Sequence, residues 1–349
     1  MSDVVRVGLI GYGFSGRTFH APVLTCVPGL ELRSVVERKG AASRERYPWV
    51  QVVRDARSLY EDEAIDLIVV ATPSTDHVSF ARDALLAGKH VVVEKPFTTT
   101  SSEADELIRL ARQTGKTISV FQNRRWDGDF LTVQDVCRQG LLGTLKDVEF
   151  RWDRYSPQAN PAKAEGSVPG TGVLYDLGVH LLDQALCLFG VPAAVSADIR
   201  TMREGAGSAD YFEMTLLYKD GLRVRLTATY LAREPGPRYA LHGTAGSFVK
   251  YGVDVQEEKL ANGGTPAERG WGTEPADMWG KLNASLGDLH FVGNVETIPG
   301  AYQAYYRNVY EAITGQAELA VTAEQARTAI RLIELGYRSH AEGRRIEVT

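Results

Sequence analysis

Cysteine is scarce in this chain: Cys26, Cys137 and Cys187 are the only three in 349 residues, odd in number and far apart. Such spacing offers neither a disulfide framework nor a zinc cluster, and it suggests a reducing, cytoplasmic setting. No apolar run approaches the ~18–20 residues that cross a bilayer, so no membrane role is expected. The opening Met-Ser-Asp-Val-Val-Arg lacks the apolar centre of a secretion signal and runs into a strand pattern. Charge of one sign is lacking too, since 39 Lys and Arg against 44 Asp and Glu leave a net −5. Without a domain-scale basic field, nucleic acid is not an expected partner. Glycine, by contrast, is plentiful: 34 residues where ~7% is usual. With 44% hydrophobic and 24% charged residues, the composition is that of a globular protein of two or three domains.

Strand and helix signals alternate through the first 121 residues. Val4–Ile10, Leu30–Val36 and Leu67–Val70 read as strands, the last without a polar interruption, as in a parallel sheet covered on both faces. Thr75–Ala87 reads as a helix stopped at Gly88, and Lys89–Val93 as the next strand. Thr100-Ser-Ser-Glu103 has capping-box spacing before the apolar stripe of Ala104, Leu107, Ile108 and Ala111, and Ile118–Phe121 returns as a strand. This alternation predicts a doubly wound parallel sheet over residues 1–122. Beyond it, Val148–Arg154, Ala194–Met202, Phe212–Tyr218 and Leu222–Tyr230 are successive strand candidates, with a Lys219-Asp220-Gly221 turn between the last two. Helical patterns cover Gly172–Phe189, Tyr302–Ile313 and Ala323–His340, while Asn160–Gly172, Glu234–Pro237 and Ala261–Pro275 read as loops. Residues 123–349 are therefore expected to form an α+β domain on a mainly antiparallel sheet, with the C-terminal helix free to pack back on the first domain.

Gly11-Tyr12-Gly13-Phe14-Ser15-Gly16 is G-x-G-x-x-G between a strand and a helix. Such a Rossmann fingerprint needs a tight turn at Gly11, close backbone approach to a pyrophosphate at Gly13 and helix–strand packing at Gly16. The phosphates would meet the backbone of Phe14 and Ser15 at the helix N-terminus. Pro22 implies a kink or an early stop. Glu37 ends the second strand where a carboxylate would bind the ribose hydroxyls of NAD. Arg38 and Lys39 follow, where a cation would hold the 2′-phosphate of NADP. The expected cofactor is NAD or NADP, leaning to NAD because Glu37 repels the extra phosphate.

Thr72-Pro73-Ser74 closes one buried strand and Glu94-Lys95-Pro96 the next, so both tripeptides are expected to face the cofactor crevice. The Lys95–Pro96 bond can be cis at ~0.5–1 kcal/mol. Asp176 and His180 are four apart on a helical pattern, hence neighbours on one face, with Asp183 three further on. The Tyr302, Tyr305, Tyr306 and Tyr310 series reads as packing.

Gly11–Gly16, Ala71–Ser74, Ala87–Pro96 and the Asp176-x-x-x-His180 pair together resemble the Gfo/Idh/MocA oxidoreductases over essentially the whole chain. Within that family the likeness is nearest the NADP-type scyllo-inositol 2-dehydrogenase branch. It rests on Gly11–Pro22, Asn123-Arg-Arg-Trp-Asp-Gly-Asp-Phe130, Leu174–His180, Gly236-Pro-Arg-Tyr239 and Gly246–Gly252. That branch typically ends its second strand with Ser or Thr followed by Arg, from which Glu37-Arg38-Lys39 departs.

The resemblance implies a hydride transfer between a secondary alcohol carbon of a cyclic polyol or sugar and the nicotinamide. It gives Lys95 the reacting oxygen, His180 the hydroxyl proton and Asp176 a neighbouring hydroxyl, with no metal. His77 matches a position near the cofactor, although a capping or packing role fits its place equally well. Arg125, Trp126 and Asp127 suit a polyol, with charged groups for hydroxyls and an aromatic face for ring C–H groups. The alternatives are a dehydrogenase of another sugar or a dihydrodiol, or a non-catalytic NAD(P)-binding sensor or co-repressor. A homodimer or homotetramer is the assembly that the family implies.

Overall fold

The computed structural model describes residues 4–159 and 169–349, so the loop expected over 160–172 lies, except at its end, outside the described residues. Six strands form the first sheet: β1 (Val5–Ile10), β2 (Leu30–Val36), β3 (Gln51–Val53), β4 (Leu67–Val70), β5 (His90–Val93) and β6 (Ile118–Val120). All pair in parallel, in the order β3-β2-β1-β4-β5-β6. Every residue of β4 is buried, as its Leu-Ile-Val-Val sequence requires in a sheet covered on both faces. The strand order reverses between β1 and β4, and ligands bind an open α/β sheet outside the carboxyl ends beside such a switch. The helix Ser101–Thr114 begins on the expected capping box, Thr100 and Glu103 each satisfying the other's end of the turn.

The chain divides into two compact units. The first comprises Met1–Trp126, Val255–Gly272 and Ala301–Arg327; the second comprises Asp127–Asp254, Thr273–Gly300 and Thr328–Thr349. Later segments thus return to the first unit. Within it, Tyr305 and Tyr306 of the helix Gln303–Ile313 pack edge-on and tilted against Phe121.

The second unit is built on β7 (Leu145–Asp153), β8 (Ala194–Arg200), β9 (Tyr211–Leu217), β10 (Arg223–Thr229), β11 (Tyr239–Gly243), β12 (Gly246–Lys250), β13 (Gly280–Leu286), β14 (Leu289–Val295) and β15 (Ile346–Glu347). They form one nine-stranded sheet, β14-β13-β12-β11-β7-β10-β9-β8-β15. Among the described residues, β7 and β10 alone pair in parallel in this sheet, so it is mixed and mainly antiparallel, as expected. Period-two alternation buries Val148, Phe150 and Trp152 of β7 with Phe212, Met214 and Leu216 of β9. The other face carries ion pairs, Arg225 to Asp147 at 3.3 Å and Arg151 to Glu149 at 3.0 Å. Among the described residues, no helix is long and apolar enough to cross a membrane.

Candidate active site

In the first unit, the glycine loop leaves β1 at the switch point. Gly11 has φ +96°, and a Cβ there would lie 2.6 Å from the Ala71 carbonyl oxygen. A Cβ on Gly16 would lie 2.1 Å from the Gly11 carbonyl oxygen, so both positions are closed to larger residues. A Cβ on Gly13 would meet nothing within 4 Å. The loop therefore keeps an open cradle at the first helical turn, and a dinucleotide pyrophosphate fits it. Phe14 beside it is 62% exposed. The following helix passes through a π-helical turn, Gly16–His20, and stops after Ala21–Leu24, consistent with Pro22.

The carboxylate of Glu37 is spent at the end of β2. It accepts the Ala42 and Ser43 backbone N–H groups at 2.9 Å each and the Ser43 hydroxyl at 2.5 Å, and the residue is buried. It thus caps the turn Ser43–Arg46 from a distance. Arg38 and Lys39 beside it are exposed. The lean toward NAD assumed an available carboxylate, and here both oxygens already hold donors.

At the carboxyl ends of β4 and β5, His77 joins the two expected tripeptides. Its buried ring faces the Thr72 carbonyl through Nε2 at 3.0 Å and the Pro96 carbonyl through Nδ1 at 2.9 Å. Burial pushes its pKa below the usual value, while the two carbonyls and Glu94 pull the other way. Pro73 is exposed, with Thr72 and Ser74 half-buried. The Lys95–Pro96 bond is cis, and Lys95 itself is half-buried. Glu94, expected as a cofactor contact, is turned inward. Its Oε2 accepts the Lys95 backbone N–H, and its Oε1 accepts the Ser15 hydroxyl at 2.5 Å. Burial alone would raise this carboxyl, but His20, the Lys95 charge and Ser15 outweigh it and hold the pKa down at about 2.

Residues 123–127 meet a different environment from the one expected. Arg125 donates to the Ala320 carbonyl at 2.5 Å and to Gln325 at 3.0 Å, an interior strut of the first unit. Arg124 binds the Tyr302 hydroxyl at 2.6 Å and pairs with Glu257. Trp126 packs edge-on against Tyr305, and its carbonyl accepts from Gln256 and Ala301. Asp127, in the second unit, is wholly buried at the start of the helix Gly128–Arg138.

The second unit carries Asp176 in a π-helical turn, Leu174–Gly178, and His180 in the first turn of the helix Val179–Phe189. Tyr230 donates to Asp176 Oδ2 at 3.2 Å. Burial and then that carboxylate push the tyrosine up to about 12, so it keeps its proton. His180 is buried with its ring 5.8 Å from that of Trp152. Behind Trp152, the Arg238 guanidinium lies between the Trp152 and Tyr239 rings, 4.3 and 4.9 Å from their centroids. Arg238 and His20 were not singled out from the sequence. For each, most partners lie far away along the chain: Asp129, Arg151 and Trp152 for Arg238, and Glu94, Phe121 and Tyr306 for His20.

Two family models match this chain. Residues 5–122 match the oxidoreductase family NAD-binding Rossmann fold, and residues 136–348 match the oxidoreductase family C-terminal alpha/beta domain. The chain belongs to the Gfo/Idh/MocA family and is an NAD(P)-dependent dehydrogenase. It is 45% identical to the uncharacterized oxidoreductase YdgJ of Escherichia coli K12, over 97% of each chain. It is 38% identical to the scyllo-inositol 2-dehydrogenase (NADP(+)) IolW of Bacillus subtilis, covering 99% of this chain and 96% of that one. The solved structure of the oxidoreductase yvaA from Bacillus subtilis superposes with a TM-score of 0.97 at 37% identity, covering 100% and 99% of the two chains.

Proposed function

We propose that this dehydrogenase oxidises a secondary alcohol carbon of a cyclic polyol or sugar of the inositol type and prefers NADP. The observation that carries the reading is the placement of Lys95, at the carboxyl end of β5 beside the switch point, with its backbone N–H fixed on Glu94. A lysine there offers a cation where negative charge develops on the substrate oxygen. His180 takes the proton from the substrate hydroxyl, the imidazole being the side-chain type suited to general-base work near neutrality. Asp176, held by Tyr230, accepts from an adjacent hydroxyl and fixes the ring. Bound in the glycine cradle, the nicotinamide dinucleotide supplies the hydride acceptor.

The preference for NADP rests on Glu37, whose carboxylate is committed to Ala42 and Ser43, and on the exposed Arg38 and Lys39. The 38% identity to an enzyme named for scyllo-inositol and NADP supports both halves of the reading. A chain with three cysteines, odd in number and far apart, suits the cytoplasm. Exposed Leu289, Phe291 and Val292 on the outermost strand β14 offer a surface for a homodimer or homotetramer, which light scattering checks.

The test is a spectrophotometric screen of inositols and aldoses with NAD and NADP separately. Turnover of an inositol with NADP is the expected outcome; turnover of neither class refutes the substrate reading. Lys95→Met should lower kcat by about 10² or more while leaving the cofactor dissociation constant nearly unchanged, and unaltered turnover would remove Lys95 from the chemistry. Replacing both Arg38 and Lys39 by Ser should weaken NADP about tenfold or more and NAD little. An equal loss for both cofactors would contradict the assignment of the 2′-phosphate.

A further inference from the structure

One buried titratable group of the first unit has no part in the chemistry above. His20 is fully buried, at 0% exposure. The π-helical turn Gly16–His20 ends on it, and such turns, being one residue wider than an α-turn, re-aim a side chain at functional sites. Its ring lies against Phe121, 4.2 Å between centroids, and Nδ1 is 2.6 Å from the Tyr306 hydroxyl. Among the described residues Nε2 has no hydrogen-bond partner, and Glu94 Oε1 lies 3.5 Å away from it.

The chemistry of these neighbours fixes where the proton sits. Burial raises the Tyr306 pKa well above the ordinary tyrosine value, so that hydroxyl stays protonated and can donate to Nδ1. A bare Nε2 lone pair aimed at a carboxylate would be repelled, so Nε2 carries a hydrogen and turns it toward Glu94. Glu94 in turn has both oxygens in use, one on the Ser15 hydroxyl of the glycine loop and one on the backbone N–H of Lys95. Without the imidazole, a carboxylate buried this deeply would take up a proton or swing toward water.

We propose that His20 is a positioning residue: by holding the Glu94 carboxylate in place, it locks the cofactor loop at Ser15 to the backbone of Lys95. Cofactor seating and lysine placement are then set by one interior link, His20–Glu94, that touches neither substrate nor cofactor. The proposal rests on the reading of Lys95 given above for its effect on turnover, but its effect on cofactor binding stands apart from that reading.

The test uses the full-length protein with NADP as the probe, read by nicotinamide fluorescence in the absence of substrate. His20→Met keeps the volume and removes the ring N–H that faces the carboxylate; it should weaken NADP binding about tenfold, the scale of losing one close contact to a buried charge. His20→Gln restores an N–H near the position of Nε2 and should recover most of the loss, which a mere packing role would not produce. Glu94→Gln should weaken binding similarly, and the double variant His20→Met/Glu94→Gln no further, because both break one link. Should His20→Met fail to fold, Ser15→Ala cuts the same link at its loop end and should show the same weakening. Unchanged NADP binding in His20→Met, or in Ser15→Ala where that variant is the one measured, overturns the proposal. So does a loss that His20→Gln fails to recover, or strictly additive losses in the double variant. If Lys95→Met retains turnover, the catalytic reading fails alone, and the binding data still decide the role of His20.

Discussion

Alanine at Gly13 and at Gly16 should separate cofactor binding from folding within one six-residue loop. At Gly16 the new Cβ would sit 2.1 Å from the Gly11 carbonyl oxygen, where real Cβ atoms essentially never come within 3.0 Å. The carbonyl must retreat by about 1 Å at the point where the loop leaves β1, and overpacking of this kind costs about 1–3 kcal/mol. In a domain of this size that lowers the melting temperature by roughly 2–12 °C. At Gly13 a methyl group meets nothing within 4 Å, and the backbone is not in the left-handed region. Gly13→Ala should therefore leave the melting temperature unchanged or raise it slightly, since alanine stiffens the unfolded chain by ~0.4–1 kcal/mol.

The same methyl occupies the space through which a pyrophosphate reaches the loop N–H groups. Losing one charge-assisted hydrogen bond of about 1.5–3 kcal/mol raises the dissociation constant by roughly 10–100-fold. Scanning fluorimetry without ligand and a fluorescence titration with NADP read the two effects independently. Gly13→Ala binding NADP as tightly as the parent would refute the cradle, and Gly16→Ala melting at the parent temperature would refute the packing argument.

Acid should act through Glu94, whose pKa is held at about 2 in the folded chain. Stability from this group is complete above the unfolded value near pH 4.5 and is lost as pH falls toward 2, so Glu94→Gln should show a flatter acid limb in urea midpoints. Lys250, with its side chain fully buried, places Nζ 2.7 Å from Glu274 Oε1, and Lys250→Met should destabilise the second unit by about 3–5 kcal/mol. Burial raises the Glu274 pKa and Lys250 partly offsets it; without the lysine the raised carboxyl loses stability as pH rises, so the deficit should be larger at pH 8 than at pH 5 in denaturant titrations.

Most of the parallel sheet was legible from strand-type runs rich in β-branched and other apolar residues, Leu30–Val36 and Leu67–Val70 coinciding with β2 and β4, whereas the three-residue, half-exposed β3 was not expected. β14 escaped sequence reading because it is the margin of the sheet, where little is buried, and β13 because its period-two signal, buried Leu282 and Ala284 between exposed Lys281, Asn283 and Ser285, is short and weakly apolar. Leu289 is 74% exposed, and glycine, asparagine and histidine interrupt the pair. The glycine loop and the two strand-end tripeptides could be placed from spacing and strand position. The internal links could not. Glu37 looks the same in sequence whether it binds a ribose or caps Ser43, and Arg125 gives no sign of Ala320 or Gln325. The four-residue spacing of Asp176 and His180 also assumed regular α-turns, whereas Asp176 lies in a wider one.

The discontinuity of the first unit bears on how the protein is made. Phe121 packs on Tyr305 and Tyr306, the Ser119 hydroxyl donates to the Val321 carbonyl, and Arg124 holds Tyr302 and Glu257. During synthesis the six parallel strands emerge long before these partners, leaving the flank of β6 and the buried ring of His20 without their cover. The nucleotide-binding half is thus first to leave the ribosome yet stays unfinished until residues 301–327 follow, an interval in which exposed apolar surface invites chaperones. Premature termination anywhere ahead of residue 301 should damage the amino-terminal half, although every strand of its sheet has already been translated.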